Sequence, residues 1–303
     1  MQHSSQLLMI QPVQFEYNVE TAINNSFQVI TEKNDTQQHA LKEFNNLVSI
    51  LRAHEMEVLV IEDSKDPHTP DSIFPNNWIS FHEDGSLCLY PMFARNRRLE
   101  RKQTVLDQIN QQFEVQQIID FTKYEQENKF LEGTGSMVLD RENKIVYACI
   151  STRTNLAILQ IFCEKLNYQL VYFEALDNQL LPIYHTNVMM CVADDYVIIC
   201  LDSIKDDHQK NHVIKSITDT NKTIITITEQ QLNQFAGNML QVHNTTGERY
   251  LVMSTKAYQS LSADQIKTIS TFNKIIHADI STIEMNGGGS ARCMIAEVFL
   301  KKK

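Results

Sequence analysis

The chain has 303 residues, of which 43% are hydrophobic and 21% are charged, and its formal net charge is -10 at pH 7. These proportions are typical of a globular protein with a large core and exclude a disordered chain. An acidic chain without a basic block is a poor ligand for nucleic acid, and no apolar run approaches the roughly 18 residues of a membrane span. The cysteines form no C-x-x-C pair and the N-terminus lacks a secretory pattern, so we expect a cytoplasmic protein.

The predicted elements recur in the order hairpin, helix, strand. Residues 78–92 are predicted as a hairpin turning at Glu83-Asp84-Gly85, because Asp-Gly between apolar strands is typical of a hairpin. An apolar stripe that begins at Leu99 predicts a helix over 97–113, and a strand follows over 114–121. The same order is predicted three more times: hairpin 136–150, helix 154–167 and strand 169–175; hairpin 188–202, helix 209–218 and strand 223–228; hairpin 239–254, helix 262–274 and strand 275–281.

These units indicate a repeat, because their hairpins begin at residues 78, 136, 188 and 239 and a further strand is predicted from about 290. That last unit is incomplete, and the N-terminus supplies its missing parts as strand 7–13, helix 36–54 and strand 57–62. The simplest arrangement is a closed ring of five units in which the last strand pairs with the first, since closure protects sheet edges. An open mixed sheet is the alternative. We therefore predict an α/β fold with pseudo-fivefold symmetry and one domain over residues 1–303.

Glycine is scarce and concentrated. The chain has 8 glycines, whereas an average protein of this length has about 21. Five of them are Gly133, Gly135 and the triplet 287–289. Glycine permits positive φ and close approach of the backbone to other groups, so these segments are predicted to have a special backbone geometry.

In a ring, the segments at or just before the first hairpin strand of each unit meet near the axis. They are residues 74–77, 131–135, 184–187, 236–238 and 289–293. They contain Cys293, His185 and Glu132, a set that indicates nucleophilic catalysis by a thiolate, a proton-transferring imidazole and an orienting carboxylate. Arg292 beside the cysteine would favour its thiolate.

Each of these residues also has a structural interpretation. Cys293 could be a core thiol, as we predict for the other five cysteines, His185 a loop histidine and Glu132 a capping or surface carboxylate. Their coincidence at equivalent repeat positions favours catalysis. His208 and His212 lack the glutamate of an H-E-x-x-H metal motif, so we predict neither a metal site nor another cofactor.

Five segments resemble, in order, motifs of the guanidino-group-modifying pentein superfamily. They are FPNNW (74–78), LEGTGS (131–136), ISTRTN (150–155), HTN (185–187) and NGGGSARCM (286–294). The strongest resemblance is to the arginine-deiminase-related citrulline utilisation hydrolases. It implies a five-bladed α/β propeller in which Cys293 is the nucleophile, His185 the general acid/base and Glu132 a carboxylate that binds substrate nitrogens.

The resemblance also implies substrate-binding residues. Asn77 and Asn187 match two aspartates of arginine deiminases, and Arg153 and one of Arg97 and Arg98 match arginines that hold the substrate carboxylate. Phe74 and Gly289 lie in the same segments and are further substrate-binding candidates.

The replacement of both aspartates by amides bears on the substrate. Neutral amides attract a cation less than carboxylates and can both donate to and accept from a ureido group. We therefore expect a small amino acid, L-citrulline, to be hydrolysed to ornithine, ammonia and carbon dioxide. The alternatives are an arginine or dimethylarginine deiminase, an amidinotransferase and a non-catalytic pentein binding protein. Whether the chain forms a homo-oligomer is left open.

Overall fold

The strands of the described residues form five three-stranded sheets with one common pattern. The computed structural model describes residues 1–25, 27–29 and 35–303. In every sheet the central strand is antiparallel to one neighbour and parallel to the other. A parallel pair needs a crossover connection, and helices lie in these connections, so each sheet with its helix is one unit of the predicted repeat.

The strands are β1 (Gln6–Gln11), β2 (Glu57–Glu62), β3 (Ile79–Phe81), β4 (Ser86–Leu89), β5 (Gln117–Asp120), β6 (Val138–Asp140), β7 (Ile145–Cys149), β8 (Gln169–Phe173), β9 (Met190–Val192), β10 (Tyr196–Ile199), β11 (Thr223–Thr226), β12 (Leu240–His243), β13 (Arg249–Ser254), β14 (Lys274–Ala278) and β15 (Ala296–Glu297). The sheets have the strand orders β15-β1-β2, β3-β4-β5, β6-β7-β8, β9-β10-β11 and β12-β13-β14. The C-terminal strand thus pairs with the N-terminal one, with Leu7 opposite Glu297 and Leu8 opposite Ala296, as predicted.

The helices of the described residues are α1 (Val19–Ala22), α2 (Thr36–Ala53), α3 (Arg95–Arg98), α4 (Gln103–Gln112), α5 (Gly133–Ser136), α6 (Leu156–Leu166), α7 (Thr186–Met189), α8 (Asp207–Thr218), α9 (Glu229–Leu232), α10 (Thr255–Ser260), α11 (Ala263–Ser270) and α12 (Ser281–Gly287). Short 3-10 helices cover Pro75–Asn77, Thr122–Glu127 and Leu201–Ser203. None of these helices is long and apolar enough to cross a membrane.

Four apolar clusters connect the sheets in a cyclic order. They join the first sheet (β15-β1-β2) to the second (β3-β4-β5), the second to the third (β6-β7-β8), the third to the fourth (β9-β10-β11) and fifth (β12-β13-β14), and the fifth back to the first. Removal of this apolar surface from water is the main stabilising contribution to such a fold. The five cysteines predicted to be core thiols are all buried: Cys88, Cys149, Cys163, Cys191 and Cys200.

The predicted helix over 97–113 is wrong at its start, because α3 and α4 are separate and Leu99 is exposed. The chain is extended at Lys102, with φ of -71° and ψ of 134°. The buried ammonium of Lys102 binds the carboxylate of Asp63 at 2.5 Å and three further oxygens. This polar anchor ends α3 and leaves α4 to begin at Gln103.

The strand predicted from residue 290 also begins later. Residues 290–295 form consecutive turns, in which the N–H of Cys293 donates to the carbonyl of Ser290 at 2.9 Å, and β15 begins only at Ala296. Glycine and serine before the cysteine favour turns over a strand. Cys293 therefore lies in a turn at the end of the sheet, where its side chain faces a pocket.

Candidate active site

The segments predicted to converge meet around one pocket of about 270 Å³. It is lined by Thr21, Asn25, Asp71, Phe74, Asn77, Arg97, Arg153, Tyr184, His185, Gly287, Gly288, Gly289 and Cys293. Seven of the sequence-predicted site residues are among them. Of the remaining three, Glu132 is bonded to His185, Asn187 is bonded to Cys293, and Arg98 lies away from the pocket lining.

Glycine is required where the pocket walls come closest together. A Cβ on Gly135 would lie 2.4 Å from Nδ2 of Asn77 and 2.8 Å from Nδ1 of His185. A Cβ on Gly289 would lie 2.9 Å from the ring of Phe74. These distances are too short for carbon contacts, whose optimum is about 3.5–4.0 Å. The concentration of glycine in these two segments therefore reflects steric demand at the pocket.

The sulfur of Cys293 is almost fully buried and accepts hydrogen bonds from two side-chain amides. Nδ2 of Asn187 lies 3.3 Å from Sγ, and Nδ2 of Asn238 lies 3.2 Å from it. The guanidinium of Arg292, which was expected to favour the thiolate, instead donates to the carbonyl of Ile295 at 2.8 Å. The polar groups bonded directly to the sulfur are thus neutral donors.

His185 and Glu132 form a buried pair. Nε2 of the imidazole lies 2.8 Å from Oε2 of the carboxylate, while Oε1 accepts the backbone N–H of Phe93 at 2.9 Å. An ionised carboxylate can only accept hydrogen bonds, so Nε2 carries the proton and Nδ1 of the neutral ring is able to take one. This arrangement suits a general base held in one orientation.

The charge state of this pair follows from burial and from Arg153. Burial lowers the pKa of His185 to about 4, although the neighbouring carboxylate opposes this shift. Burial alone would raise the pKa of Glu132, but the positive charge of Arg153 and the hydrogen bond from His185 together hold it below its usual range. At neutral pH the site therefore contains a neutral imidazole beside an ionised carboxylate.

Of the two neighbouring arginines, only Arg97 lines the pocket. Its guanidinium is paired with Glu100 at 2.8 Å, and its NH1 donates to Oδ1 of Asn77 at 2.8 Å. Arg98 instead donates to the carbonyl of Met92 at 3.0 Å. Arg97 fixes the orientation of the Asn77 amide, because its oxygen faces the guanidinium and its NH₂ group is left for other partners.

Arg153 is also buried in the pocket, but its guanidinium already has several partners. Its Nε donates to Oδ1 of Asn24 and its NH2 to the carbonyl of Thr21, each at 2.9 Å. Its NH1 lies 3.5 Å from Glu132, and its charge lies 4.9 Å from the ring centroid of Tyr184. Arg153 therefore joins residues 18–25, which cover one side of the pocket, to the carboxylate behind His185.

Sequence reasoning missed Asp71, a carboxylate in the pocket wall. Its Oδ2 accepts from Asn18 at 2.7 Å and from Thr21 at 3.1 Å, whereas its buried Oδ1 has no partner among the described residues. Burial raises the pKa of Asp71, and the nearby charge of Arg97 opposes that rise. The sequence feature that could have pointed to Asp71 is its position three residues before the FPNNW segment.

Two further parts of the site were missed. Asn238 is the only polar side chain in the converging segment 236–238, and this could have marked it as a site residue, but it was given no role. Residues 18–25 have no counterpart among the repeat positions, so symmetry could not place them. Among the described residues, no group of three or more His, Cys, Asp and Glu side chains is arranged to hold a metal ion.

Comparisons with known proteins identify the family and support the fold. The family model described as N,N dimethylarginine dimethylhydrolase, eukaryotic, matches residues 11–300. The chain belongs to this family, and with it to the guanidino-group-modifying pentein superfamily of C–N hydrolases and deiminases. A search of curated proteins finds no match.

Solved structures share the fold at low sequence identity. The apo structure of ArgZ, an arginine dihydrolase from the ornithine-ammonia cycle in cyanobacteria, has a TM-score of 0.76 and 16% identity over 97% of this chain. AgrE bound to L-arginine has a TM-score of 0.75 and 17% identity over 97% of this chain. The chain spans about 40% of the length of each of these two proteins. The Pseudomonas aeruginosa dimethylarginine hydrolase complexed with citrulline has a TM-score of 0.67 and 14% identity, covering 97% of this chain and 99% of that one.

Proposed function

We propose that this protein hydrolyses the C–N bonds of a ureido amino acid, L-citrulline, through a covalent intermediate on Cys293. The cyclic packing of the five sheets supports the further proposal that residues 1–303 form one catalytic domain, a five-bladed propeller with the pocket at its hub. The observation that carries the substrate proposal is the set of neutral amides, Asn77 and Asn187, beside the thiol and the imidazole.

The charges of the pocket agree with a zwitterionic substrate that has a neutral side chain. The Glu132 carboxylate is engaged by His185 and Arg153, so it adds no unpaired charge where the side chain would react. Asp71 presents its one unpartnered oxygen, which suits the α-ammonium of an amino acid. Arg97 and Arg153 supply positive charge for the α-carboxylate.

In the first stage, the proton of Cys293 passes to Nδ1 of His185 and the thiolate attacks the ureido carbon. A C–S bond forms, the C–N bond to the ornithine nitrogen breaks, and His185 returns the proton to the departing amine. Ornithine is released and an S-carbamoyl cysteine remains. Glu132 stabilises the imidazolium that forms between these two proton transfers.

In the second stage, water attacks the carbonyl carbon of the S-carbamoyl group while His185 accepts its proton. The C–S bond breaks and the thiolate is restored. The released carbamic acid decomposes to ammonia and carbon dioxide, so the two stages consume one citrulline and one water overall. The neutral state of His185 at neutral pH makes it available as the base in both stages.

The test is to incubate the purified protein separately with citrulline labelled at the ureido carbon, with arginine and with dimethylarginine. We expect ornithine and labelled carbon dioxide from citrulline and a carbamoyl adduct on Cys293 in quenched samples. Cys293→Ala should abolish turnover and leave the circular dichroism spectrum unchanged. An active Cys293→Ala enzyme would refute the mechanism.

A second candidate is hydrolysis of a guanidino amino acid. The carboxylate of Asp71 favours it, because this group adds a negative charge that a cationic substrate would use. In the same assay, citrulline formed from arginine would indicate a deiminase, and ornithine formed from arginine a dihydrolase. Either result, without turnover of citrulline, would replace the ureido proposal.

A further inference from the structure

The sulfur of Cys293 lies between two asparagine side chains that both present N–H groups to it. The Nδ2–Sγ distances are 3.3 Å for Asn187 and 3.2 Å for Asn238. Both asparagines are buried, with exposed fractions of 1% and 0%. They reach the sulfur from different segments, since Asn187 lies in α7 and Asn238 just before β12.

The orientation of the Asn238 amide is fixed by its other bonds. Its Oδ1 accepts the backbone N–H of Arg292 at 3.1 Å, and its Nδ2 also donates to the backbone carbonyl of Asn187 at 3.0 Å. A flipped amide would place its NH₂ against an N–H and its oxygen against a carbonyl. The N–H groups of Asn238 must therefore face the sulfur and the carbonyl.

The two N–H donors bind a thiolate more strongly than they bind a thiol. Hydrogen bonds to an ionised acceptor are about twice as strong as neutral ones, and a neutral thiol is only a weak acceptor. Two N–H donors at the sulfur therefore stabilise the charged form more than the neutral form. Because both donors are neutral, they do so without placing a cation in the substrate pocket.

The charged and titratable groups around the sulfur come from several elements. His185 and Tyr184 precede α7, and Arg292, next to the cysteine, directs its guanidinium to Ile295 and Glu297. Asp71, Arg97 and Arg153 line other walls of the same pocket, and Glu132 lies behind His185. Each of these charges acts on the sulfur from a distance, whereas the two amides contact it directly.

We propose that Asn187 and Asn238 form a two-amide cradle that stabilises the Cys293 thiolate as the thiol proton passes to His185. Asn187 and Asn238 are then both catalytic residues, since each contacts the reacting atom. This inference rests on the proposed role of Cys293 as nucleophile.

The test measures alkylation of Cys293 by iodoacetamide in the free enzyme as a function of pH. The variants are Asn238→Asp and Asn187→Asp, which keep the shape and remove the donors, and Asn238→Ala and Asn187→Ala. We expect the midpoint of the alkylation profile to move to higher pH in each, and the rate at neutral pH to fall about tenfold or more. Peptide mass spectrometry identifies the modified cysteine, and circular dichroism with thermal unfolding shows that each variant is folded.

Asn77→Ala is the matched control, because it removes another amide from the same pocket without a hydrogen bond to Sγ. Its alkylation profile should coincide with that of the unaltered protein. If the Asn238 variants fail to fold, the Asn187 variants provide the same readout, since the Asn187 oxygen has no partner among the described residues.

Three outcomes separate failure of this inference from failure of the proposed function. Unchanged alkylation in folded Asn187 and Asn238 variants would refute the cradle even if Cys293→Ala were inactive. Asn187→Asp with unchanged alkylation but a new preference for guanidino substrates would assign Asn187 to the substrate instead. Turnover by Cys293→Ala would refute the proposed function whatever the alkylation profiles show.

Discussion

The imidazole of His185 determines how the proposed reaction should depend on pH. Its base form must accept a proton, and burial lowers its pKa from 6.5 to about 4. The base form therefore persists to lower pH than in an exposed histidine. We expect kcat/KM to stay level as the pH falls through 6.5 and to decline only with a midpoint near 4.

Brief assays across this range, with circular dichroism at each pH, test this expectation. Glu132→Gln removes a charge that raises the pKa of His185, so any remaining activity should decline at still lower pH. Its rate should also fall by about 10²–10⁴-fold, because the imidazolium loses its counterion. A midpoint near 6.5 in the unaltered enzyme would contradict a buried, neutral His185.

Gly135 gives a second prediction, in which one glycine variant lowers turnover and a control variant lowers only stability. In Gly135→Ala the new methyl would collide with Asn77 and His185, so we expect a loss of turnover of about 100-fold or more. Gly247→Ala is the control. Its new methyl would have no atom within 4 Å, so it causes no collision, but its φ of +86° is unfavourable for alanine. It should lower the free energy of unfolding by about 1 kcal/mol and leave turnover unchanged. The reverse pattern would contradict the steric role of Gly135.

Symmetry of the repeat predicts some of the site residues, and the family resemblance predicts others, such as Arg97 and Arg153. Cys293, His185 and Glu132 could be found because each precedes the first strand of a unit, where symmetry brings distant segments together. Asp71 and Thr21 belong to connections outside the repeat, so symmetry gave no information about them. Their placement depends on tertiary hydrogen bonds, such as that of Thr21 to Asp71, which no local pattern encodes.

At the scale of elements, hydrophobic periodicity and turn residues were enough to predict the strands and the crossover helices. They did not predict the interruption between α3 and α4. An apolar stripe over 97–113 favoured one helix, and only the bond of Lys102 to the distant Asp63 reveals the break. Propensity is a weak guide where a buried polar contact competes with it.

The buried ion pair of Lys102 and Asp63 gives a prediction about stability. Lys102→Met would leave the Asp63 carboxylate buried without its cation, so we expect the free energy of unfolding to fall by about 3–5 kcal/mol. Adding Asp63→Asn should restore most of that loss. The control is Lys215→Met, which breaks an exposed pair with Asp219 and should cost at most about 1 kcal/mol. Urea unfolding measures all three, and equal losses for the two lysine variants would contradict the anchoring role of Lys102.

At the scale of the whole molecule, the two ends of the chain complete one sheet. The N–H of Val298 donates to the carbonyl of Gln6 at 2.8 Å, and Ser4 donates to the carbonyl of Val298 at 2.6 Å. The sequence predicted this pairing because the last unit lacks the parts that the N-terminus supplies. The arrangement should therefore tolerate a change in where the chain begins, provided that the fifteen strands of the described residues are kept.

A circular permutant tests this expectation. Its original ends are joined by a short flexible linker, and the chain is opened between Thr246 and Gly247, in a turn that is exposed in the structure. Exposed turns with few contacts tolerate such openings, so we expect a native circular dichroism spectrum and turnover within about threefold of the unpermuted chain. A chain that stops before Ala296 should fail to fold, because β1 then loses its antiparallel partner and the apolar cluster beside it loses Ala296, Val298 and Leu300. An unfolded permutant, or a folded and active truncated chain, would contradict closure of the fold through β15 and β1.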